Sequence, residues 1–222
     1  MGAAGEVIAA LRSNGVVDLV IIGPVRRPSL LDLRPDAVGS RLLARIGRAA
    51  FGGDDGFLAA ILQVLGAEGF RIVGAHEIIG NTAPAGVLGA IRPDDTARHD
   101  IARGVAVVRA LGTVDVGQGA VVQQGIVLAL EAIEGTDAMV ARAGVLARPG
   151  PGGVLVKLVK PGQDRRTDLP TIGPATIAAA AAAGLRGLAF EAGGTLITDR
   201  AACIAAADAA GLFLLGIDGE HL

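Results

Sequence analysis

The fold is decided by the stretch “GGVLVKLVKPGQDRRTDLPTIGPATIAAAAAAG”, residues 152–184, which joins an apolar run, a polar loop and an alanine-rich run. The apolar run, residues 152–160, is rich in valine and leucine, which is typical of a strand buried in a sheet. The alanine-rich run favours a helix with Pro174 near its first turn, where proline is tolerated. A buried strand that leads through a loop into a helix indicates an α/β protein.

The same alternation extends in both directions along the chain. Residues 16–23, “VVDLVIIG”, follow a helical pattern at 5–15 and have the composition of a strand buried on both faces. Gln124-Gly125 separates two β-rich runs, which indicates a hairpin. Further helices are predicted at 39–50, 55–69, 95–112, 136–144 and 199–211, and further strands at 70–79, on both sides of Gly193-Gly194 and at 212–217.

One segment interrupts this alternation. Residues 81–95 are rich in glycine and proline and have no hydrophobic periodicity, which is typical of a linker between domains. We therefore predict the α/β class with two α/β domains, residues 1–80 and 96–222, joined by this Gly/Pro-rich linker, with a ligand cleft between them.

Composition excludes several classes of function. The formal net charge is −2 and there is no Tyr or Trp, so the chain lacks the basic footprint and the stacking side chains of nucleic-acid-binding proteins. The single cysteine, Cys203, excludes a disulfide within the chain and a thiolate metal site, and we expect it to be buried in an alanine-rich helix. We expect no membrane-spanning helix and no secretory signal, and a reducing cytoplasm fits.

The standard catalytic motifs are absent: there is no P-loop, GxGxxG, HExxH or GxSxG. We expect surface or structural roles for His76, His99 and His221. A first polar cluster, “EAIEGTDAM”, contains Glu131, Glu134, Thr136 and Asp137. Thr136 or Asp137 could cap a helix, or the helix N-terminus after Gly135 could hold an anion, and both interpretations can use the same residues.

A second polar cluster lies in the loop after the strand at 152–160. Lys157 and Lys160 come at the strand end, and Asp164, Arg165, Arg166 and Asp168 follow. Loops at the carboxyl ends of strands are where open α/β sheets bind ligands, although a solvated surface loop is the alternative. Cations and carboxylates together suit a phosphate ester with a metal ion. Leu169-Pro170 would stiffen the position of Asp168, because the residue before a proline is held extended.

The residues of both clusters occur in longer stretches that resemble a known family. These stretches are “DVGQGAVVQQGIVLALEAIEGTDAM” at 115–139, “VKPGQDRRTDLPTIG” at 159–173, “EAGGTLITDR” at 191–200, “GPVRRPSLLDLRPD” at 23–36 and “GDDGFLAAILQVLGAEGFRIVGAHEI” at 53–78. They are similar to UDP-2,3-diacylglucosamine pyrophosphatases of the LpxI type. The resemblance covers nearly the whole chain, and “EGTDAM” followed by “DLPTIG” makes it specific.

The resemblance implies a two-domain α/β enzyme of lipid A synthesis. Such an enzyme uses Mg²⁺ to cleave UDP-2,3-diacylglucosamine to UMP and 2,3-diacylglucosamine 1-phosphate (lipid X), with water attacking the sugar-side phosphorus and the substrate lying between the domains. It also implies that the essential carboxylate, predicted to be catalytic and to bind the metal, is Asp168 of “DLPTIG”, with Asp164 as the second choice. Substrate-binding roles are implied for Gln118, Gly135, Thr136, Asp137, Lys157, Lys160, Gln163, Thr171, Gly173 and Gly23.

Three further expectations concern the start of the chain, its surroundings and its partners. Members of the family begin with a strand and a glycine-rich turn that this sequence lacks, so the first domain is expected to be truncated at its start. The alternative function is a non-catalytic module that binds a nucleotide-sugar or an acyl-sugar. We expect a cytoplasmic homodimer with peripheral contact to the inner membrane, and helices at 56–66 or 176–185 as an apolar wall for acyl chains, with most of their residues in the core.

Overall fold

A computed structural model describes residues 4–23, 36–46 and 54–218. The chain forms two compact units, one from residues 1–79 and 164–168 and the other from residues 80–163 and 169–222. Both units combine helices with strands, so the predicted α/β class is confirmed. No helix in the described ranges has both the length and the apolar character needed to cross a membrane.

The first unit contains four described helices and a pair of short parallel strands. Its elements are α1 (Ala4–Ser13), β1 (Asp18–Leu19), α2 (Ala37–Ile46), α3 (Asp54–Ala67), β2 (Arg71–Ile72) and α4 (Ala75–Ile79). Leu19 pairs with Ile72, and the Asp18 carboxylate lies 2.6 Å from Arg71 Nε. Ile8, Leu62, Phe70 and Ile72 form its buried core.

Two predictions for this unit are corrected. The strand expected at 16–23 is only two residues long, and the one expected at 70–79 gives way after Ile72 to α4. The Glu77 side chain accepts the Gly74 N–H at 2.7 Å, a bond that stabilises the first turn of α4. Arg26, Arg27 and Arg34 of the connector and His221 lie outside the described residues.

The second unit is built on a six-stranded sheet. Its described elements are β3 (Gly86–Leu88), α5 (Asp95–Thr113), β4 (Gly119–Gln123), β5 (Ile126–Leu130), α6 (Thr136–Val145), β6 (Val154–Lys157), β7 (Thr171–Ile172), α7 (Pro174–Ala182), β8 (Gly187–Glu191), β9 (Leu196–Ile197), α8 (Arg200–Ala209) and β10 (Phe213–Ile217). The sheet order is β3-β10-β8-β6-β4-β5, and β7 pairs with β9 separately. β6, β8 and β10 are parallel, whereas β3 and β4 are antiparallel to their neighbours.

The position of β3 corrects one boundary. Residues 81–95, predicted as a linker, contribute an edge strand to this sheet, because Gly86–Leu88 pairs with β10. Ala83 N–H also donates to Thr195 C=O at 2.7 Å, which fixes the segment before β3. The described part of 81–95 therefore belongs to the second unit.

Helices cover both faces of the six-stranded sheet. Side chains alternate along each strand, so Val154 and Val156 of β6 pack against α5 and Leu155 packs against α6, α7 and α8. Cys203 is buried within α8, as predicted, and burial raises the pKa of its thiol. Ile177 and Ala180 of α7 lie in the core, as expected for most of that helix.

The hairpin predicted at Gln124-Gly125 is confirmed. Both residues have positive φ, as the tight two-residue turn between β4 and β5 requires. Asp100 of α5 is buried beneath this turn, where its two carboxylate oxygens accept the N–H groups of Gln124 at 3.0 Å and Gly125 at 2.6 Å. A carboxylate on a helix thereby fixes the turn of the hairpin.

Candidate active site

Polar side chains of the second unit gather at one edge of the six-stranded sheet. β4 runs against β6 with Gly119 opposite Lys157, so β4 begins where β6 ends. β5 returns to the same edge, where Glu131 N–H donates to Gly119 C=O at 2.9 Å. We call this the carboxyl edge, and it brings together Gln118, Glu131, Lys157 and Glu191.

Two of these side chains, Glu131 and Lys157, are joined by Thr136 in a hydrogen-bonded chain. Lys157 follows Leu155 on the face of β6 that packs against α6, and its side chain is buried. Lys157 Nζ donates to Thr136 Oγ1 at 2.8 Å, and Thr136 Oγ1 donates to Glu131 Oε1 at 2.7 Å. An ammonium can only donate, so the single hydroxyl proton of Thr136 is directed to the carboxylate. The chain therefore runs from Lys157 through Thr136 to Glu131.

The Glu131 carboxylate lies against the backbone of Gly119. Glu131 is 6% exposed, and its Oε2 has no hydrogen-bond partner among the described residues. A Cβ at position 119 would lie 2.6 Å from Glu131 Oε2 and 3.3 Å from Met139 Cε, so only glycine leaves room for the carboxylate. A buried carboxylate is costly unless its charge is balanced, and the ammonium of Lys157 lies one hydroxyl away.

Helix α6 begins at this carboxyl edge, and its N-cap corrects the predicted one. The N-cap is Gly135, with φ 80° and ψ 173°, a conformation that is essentially confined to glycine. Gly135 has no side chain to cap the helix, the Thr136 hydroxyl is bonded to Glu131, and Asp137 is exposed in the first turn. N–H groups without a side-chain cap at a helix N-terminus suit an anion.

Other buried polar groups accompany this chain in the second unit. Glu191 ends β8 and its Oε2 accepts Val159 N–H at 3.1 Å. Gln118 C=O accepts Leu158 N–H at 3.0 Å, whereas Gln118 Oε1 and Thr195 Oγ1 are buried and have no hydrogen-bond partner in the described part of the chain. Neither Glu191 nor Thr195 was predicted from the sequence as a site residue. The sequence feature that could have identified Glu191 is its position as a carboxylate directly after the apolar residues of β8.

Lys160 is not at the end of β6, because the strand stops at Lys157. Its Nζ lies 2.6 Å from Asp115 Oδ1, and its side chain is 9% exposed. Its N–H donates to the buried Gln163 side chain at 3.0 Å. These bonds connect the start of the polar loop to Asp115, two residues after the end of α5, a contact that the sequence does not reveal.

Asp164 and Asp168 belong to a turn formed by residues 164–168. Asp164 C=O accepts the N–H groups of Thr167 at 3.2 Å and Asp168 at 3.4 Å. The Asp164 carboxylate accepts from Arg166 Nη2 at 2.6 Å, and this bond holds the pKa of Asp164 below its usual range. Asp164 is thus engaged within the turn, and Asp168 is partly buried at its end.

Three further predicted residues are not members of the Lys157–Thr136–Glu131 chain. The Thr171 side chain donates to Leu169 C=O at 3.2 Å. Gly173 is the N-cap of α7, and a Cβ there would lie 2.6 Å from Thr198 Oγ1. Gly23 has φ 100° and belongs to the first unit.

A metal ion would have few ligands of its own in the described residues. They contain no group of three or more His, Cys, Asp or Glu side chains placed to hold a metal ion. Mg²⁺ is commonly held in proteins by one or two carboxylates together with substrate phosphates and water. The donor set therefore fits an ion that binds along with a phosphorylated ligand and does not fit a preformed all-protein cage.

Comparison with known proteins identifies the family. Residues 1–82 match the model of the LpxI N-terminal domain, and residues 84–215 match that of the LpxI C-terminal domain. The chain belongs to the LpxI family. A relative from Caulobacter vibrioides, UDP-2,3-diacylglucosamine pyrophosphatase LpxI, is 47% identical over 228 residues, which cover 100% of this chain and 81% of the relative. The LpxI assignment confirms the resemblance found in the sequence.

Proposed function

We propose that the chain is a UDP-2,3-diacylglucosamine pyrophosphatase of lipid A synthesis. The observation that carries the proposal is the 47% identity, over the whole chain, to a protein of that name. In the proposed reaction, a water oxygen bonds to the sugar-side phosphorus and loses its protons. The bond from that phosphorus to the bridging oxygen breaks, and the bridging oxygen leaves with its electron pair on UMP. The other product is 2,3-diacylglucosamine 1-phosphate.

The chemistry of the carboxyl edge supports a diphosphate substrate. The buried ammonium of Lys157 and the α6 N–H groups without a side-chain cap are both suited to phosphate oxygens. Fixed charges and dipoles in a site shielded from water stabilise developing negative charge more strongly than the same groups do in water. We assign Lys157 and the first turn of α6 to binding the diphosphate.

Asp168 is the proposed catalytic carboxylate. Its position in the “DLPTIG” motif and its partial burial at the end of the turn support Asp168 as the carboxylate that orients the attacking water. Asp168 would also be the protein ligand of Mg²⁺, completed by substrate and water oxygens. The ion would neutralise the phosphate oxygens.

The test is hydrolysis of UDP-2,3-diacylglucosamine by the purified chain in ¹⁸O-labelled water. We expect one ¹⁸O in the phosphate of 2,3-diacylglucosamine 1-phosphate and none in UMP, as measured by mass spectrometry. Chelation should abolish turnover, and added Mg²⁺ should restore it. Label in UMP would mean attack on the other phosphorus, and full activity after chelation would exclude a required Mg²⁺. Binding without turnover would indicate a binding module.

Cellular setting and assembly are part of the same proposal. We propose a cytoplasmic enzyme that acts as a homodimer and touches the inner membrane peripherally, because its substrate carries two acyl chains. Exposed apolar side chains such as Ile133, which is fully exposed between β5 and α6, support membrane contact. Flotation with phospholipid vesicles and sedimentation velocity test these two points; a monomer that never floats would contradict both.

A further inference from the structure

We propose that Glu131 is a positioning residue that holds the Lys157 ammonium in place through the Thr136 hydroxyl. The inference rests on the proposed function, in which Lys157 binds the diphosphate. It concerns a carboxylate that the motifs do not mark as functional, since only its spacing to Thr136 and its burial distinguish it from the exposed Glu134.

The direction of the hydrogen bonds gives the first reason. Thr136 has one hydroxyl proton, and Glu131 Oε1 accepts it at 2.7 Å. The hydroxyl lone pairs then point to Lys157 Nζ, 2.8 Å away. Without the carboxylate, the hydroxyl could rotate, and the ammonium would lose an acceptor whose orientation is fixed.

Burial of the carboxylate gives the second reason. Glu131 Oε2 is shielded from solvent and has no hydrogen-bond partner among the described residues, an arrangement that costs stability. Gly119 leaves the space that this oxygen occupies. Glu134 also lies in the connection between β5 and α6. In contrast to Glu131, it forms an exposed ion pair with Arg142 at the protein surface. A buried carboxylate that supports a cation explains the arrangement at Glu131, because it orients the ammonium of a lysine inside the fold.

The first experiment removes the bridge and then restores it. Thr136→Val should lower kcat/KM for UDP-2,3-diacylglucosamine and the affinity for inorganic pyrophosphate by about 10-fold each, because the ammonium is no longer held in one position. Thr136→Ser, which keeps the hydroxyl, should restore most of both losses. Equal losses in the two variants would overturn the proposal, since the hydroxyl would then be irrelevant.

A double-mutant cycle separates positioning from a general structural effect. Glu131→Gln alone should lower kcat/KM and pyrophosphate affinity, but in a Lys157→Met background it should lower neither further, because the group that it positions is absent. Additive losses would overturn the proposal. Urea denaturation of each variant monitors folding.

Gly119→Ala perturbs the same carboxylate without changing any charge. The new Cβ would lie 2.6 Å from Glu131 Oε2, so we expect losses like those of Glu131→Gln, and no further loss when the two are combined. Gly153→Ala is the matched control, because it adds a Cβ 3.1 Å from Val121 Cγ1 at the opposite end of β6. Wild-type behaviour of Gly119→Ala would count against the proposal.

The pyrophosphate measurement distinguishes a failure of the proposed reaction from a failure of the proposed positioning role. If the unsubstituted chain binds pyrophosphate and the variants follow the expected order, but no hydrolysis occurs, the proposed reaction is wrong and the positioning role stands. If hydrolysis occurs and Glu131→Gln changes neither kcat/KM nor pyrophosphate affinity, the positioning role is wrong. If the unsubstituted chain does not bind pyrophosphate, Lys157 does not present a diphosphate site and the inference fails.

Discussion

Lys157 and Lys160 are three residues apart in the sequence and have different surroundings in the fold. Lys157 is the last residue of β6 and is held by Thr136, whereas Lys160 follows the strand and is paired with Asp115. The sequence predicted that both lie near a strand end, but it could not show where the strand stops. At the scale of single residues, the partner of each charge is the information that the structure adds.

Asp168 and Asp164 provide the residue-scale prediction. Asp168→Ala should lower turnover by about 10²-fold or more while substrate affinity is largely kept, because a carboxylate that orients water contributes mainly in the transition state. Asp164→Ala should lower turnover less, since its carboxylate is paired with Arg166. Single-turnover kinetics and calorimetric product binding provide the measurements.

The same two alanine variants can also contradict the assignment of Asp168 as the catalytic carboxylate. If Asp164→Ala abolishes turnover and Asp168→Ala does not, the wrong carboxylate has been chosen. Asp164→Asn is the matched control, because it removes the charge while keeping the shape of the turn. If none of these variants alters turnover, the loop is not the catalytic centre.

At the scale of elements, the central strands could be predicted closely, whereas the length of the short ones could not. β4, β6 and β8 are apolar up to their last residue, β10 is apolar throughout, and the hairpin has its own turn signal at Gln124-Gly125. β1, β2 and β9 lie within predicted strands but are only two residues long, and β7, which is equally short, shows no periodicity that could reveal it. β3 was predicted as part of the linker because the glycines and prolines of residues 81–95 hide a strand whose position depends on pairing with β10.

The contacts of the candidate site also divide into those that the sequence could predict and those that it could not. Glu131 and Thr136 are five residues apart, so the sequence itself placed them in one polar cluster. Thr136 and Lys157 are 21 residues apart, and their contact depends on how α6 packs beside β6. The need for glycine at position 119 arises from the distant Glu131 side chain and cannot be recognised from local pattern.

Asp100 provides the element-scale prediction. Asp100→Ala should lower the free energy of unfolding by about 2 kcal/mol, because two charge-assisted hydrogen bonds to the β4–β5 turn are lost while the exposed turn can still bind water. The Asp100→Asn variant should be destabilised less, because its amide oxygen can still accept one of the two hydrogen bonds from the turn. Urea denaturation measures both, and a neutral Asp100→Ala would show that α5 does not fix the hairpin.

At the scale of the whole molecule, the two units differ in how much apolar surface they bury. The described core cluster of the first unit contains four buried side chains, whereas both faces of the six-stranded sheet are covered by larger buried clusters. Local stability follows the density of buried contacts. The second unit should therefore resist opening more strongly than the first.

Hydrogen exchange tests this difference. Amides of β6 and β8, which lie in the middle of the sheet, should exchange most slowly, and those of β1 and β2 should exchange faster, because a two-strand pair has little protection. Mass spectrometry of peptides after timed exposure to deuterated buffer gives the rates. Equal protection of β2 and β8 would contradict the expectation.

The mixed strand directions of the sheet have a practical consequence for protein engineering. Because β4 starts where β6 ends, the residues proposed to bind the substrate lie together at the carboxyl edge. The connection from α6 to β6 lies at the opposite edge of the sheet. The exposed Pro149 and Gly150 of that connection precede β6, whose first residue is separated from Lys157 by about 10 Å along the strand. A fluorescent reporter or affinity peptide inserted after Gly150 would leave the phosphate-binding groups untouched, whereas the same insertion between Glu131 and Thr136 would separate them.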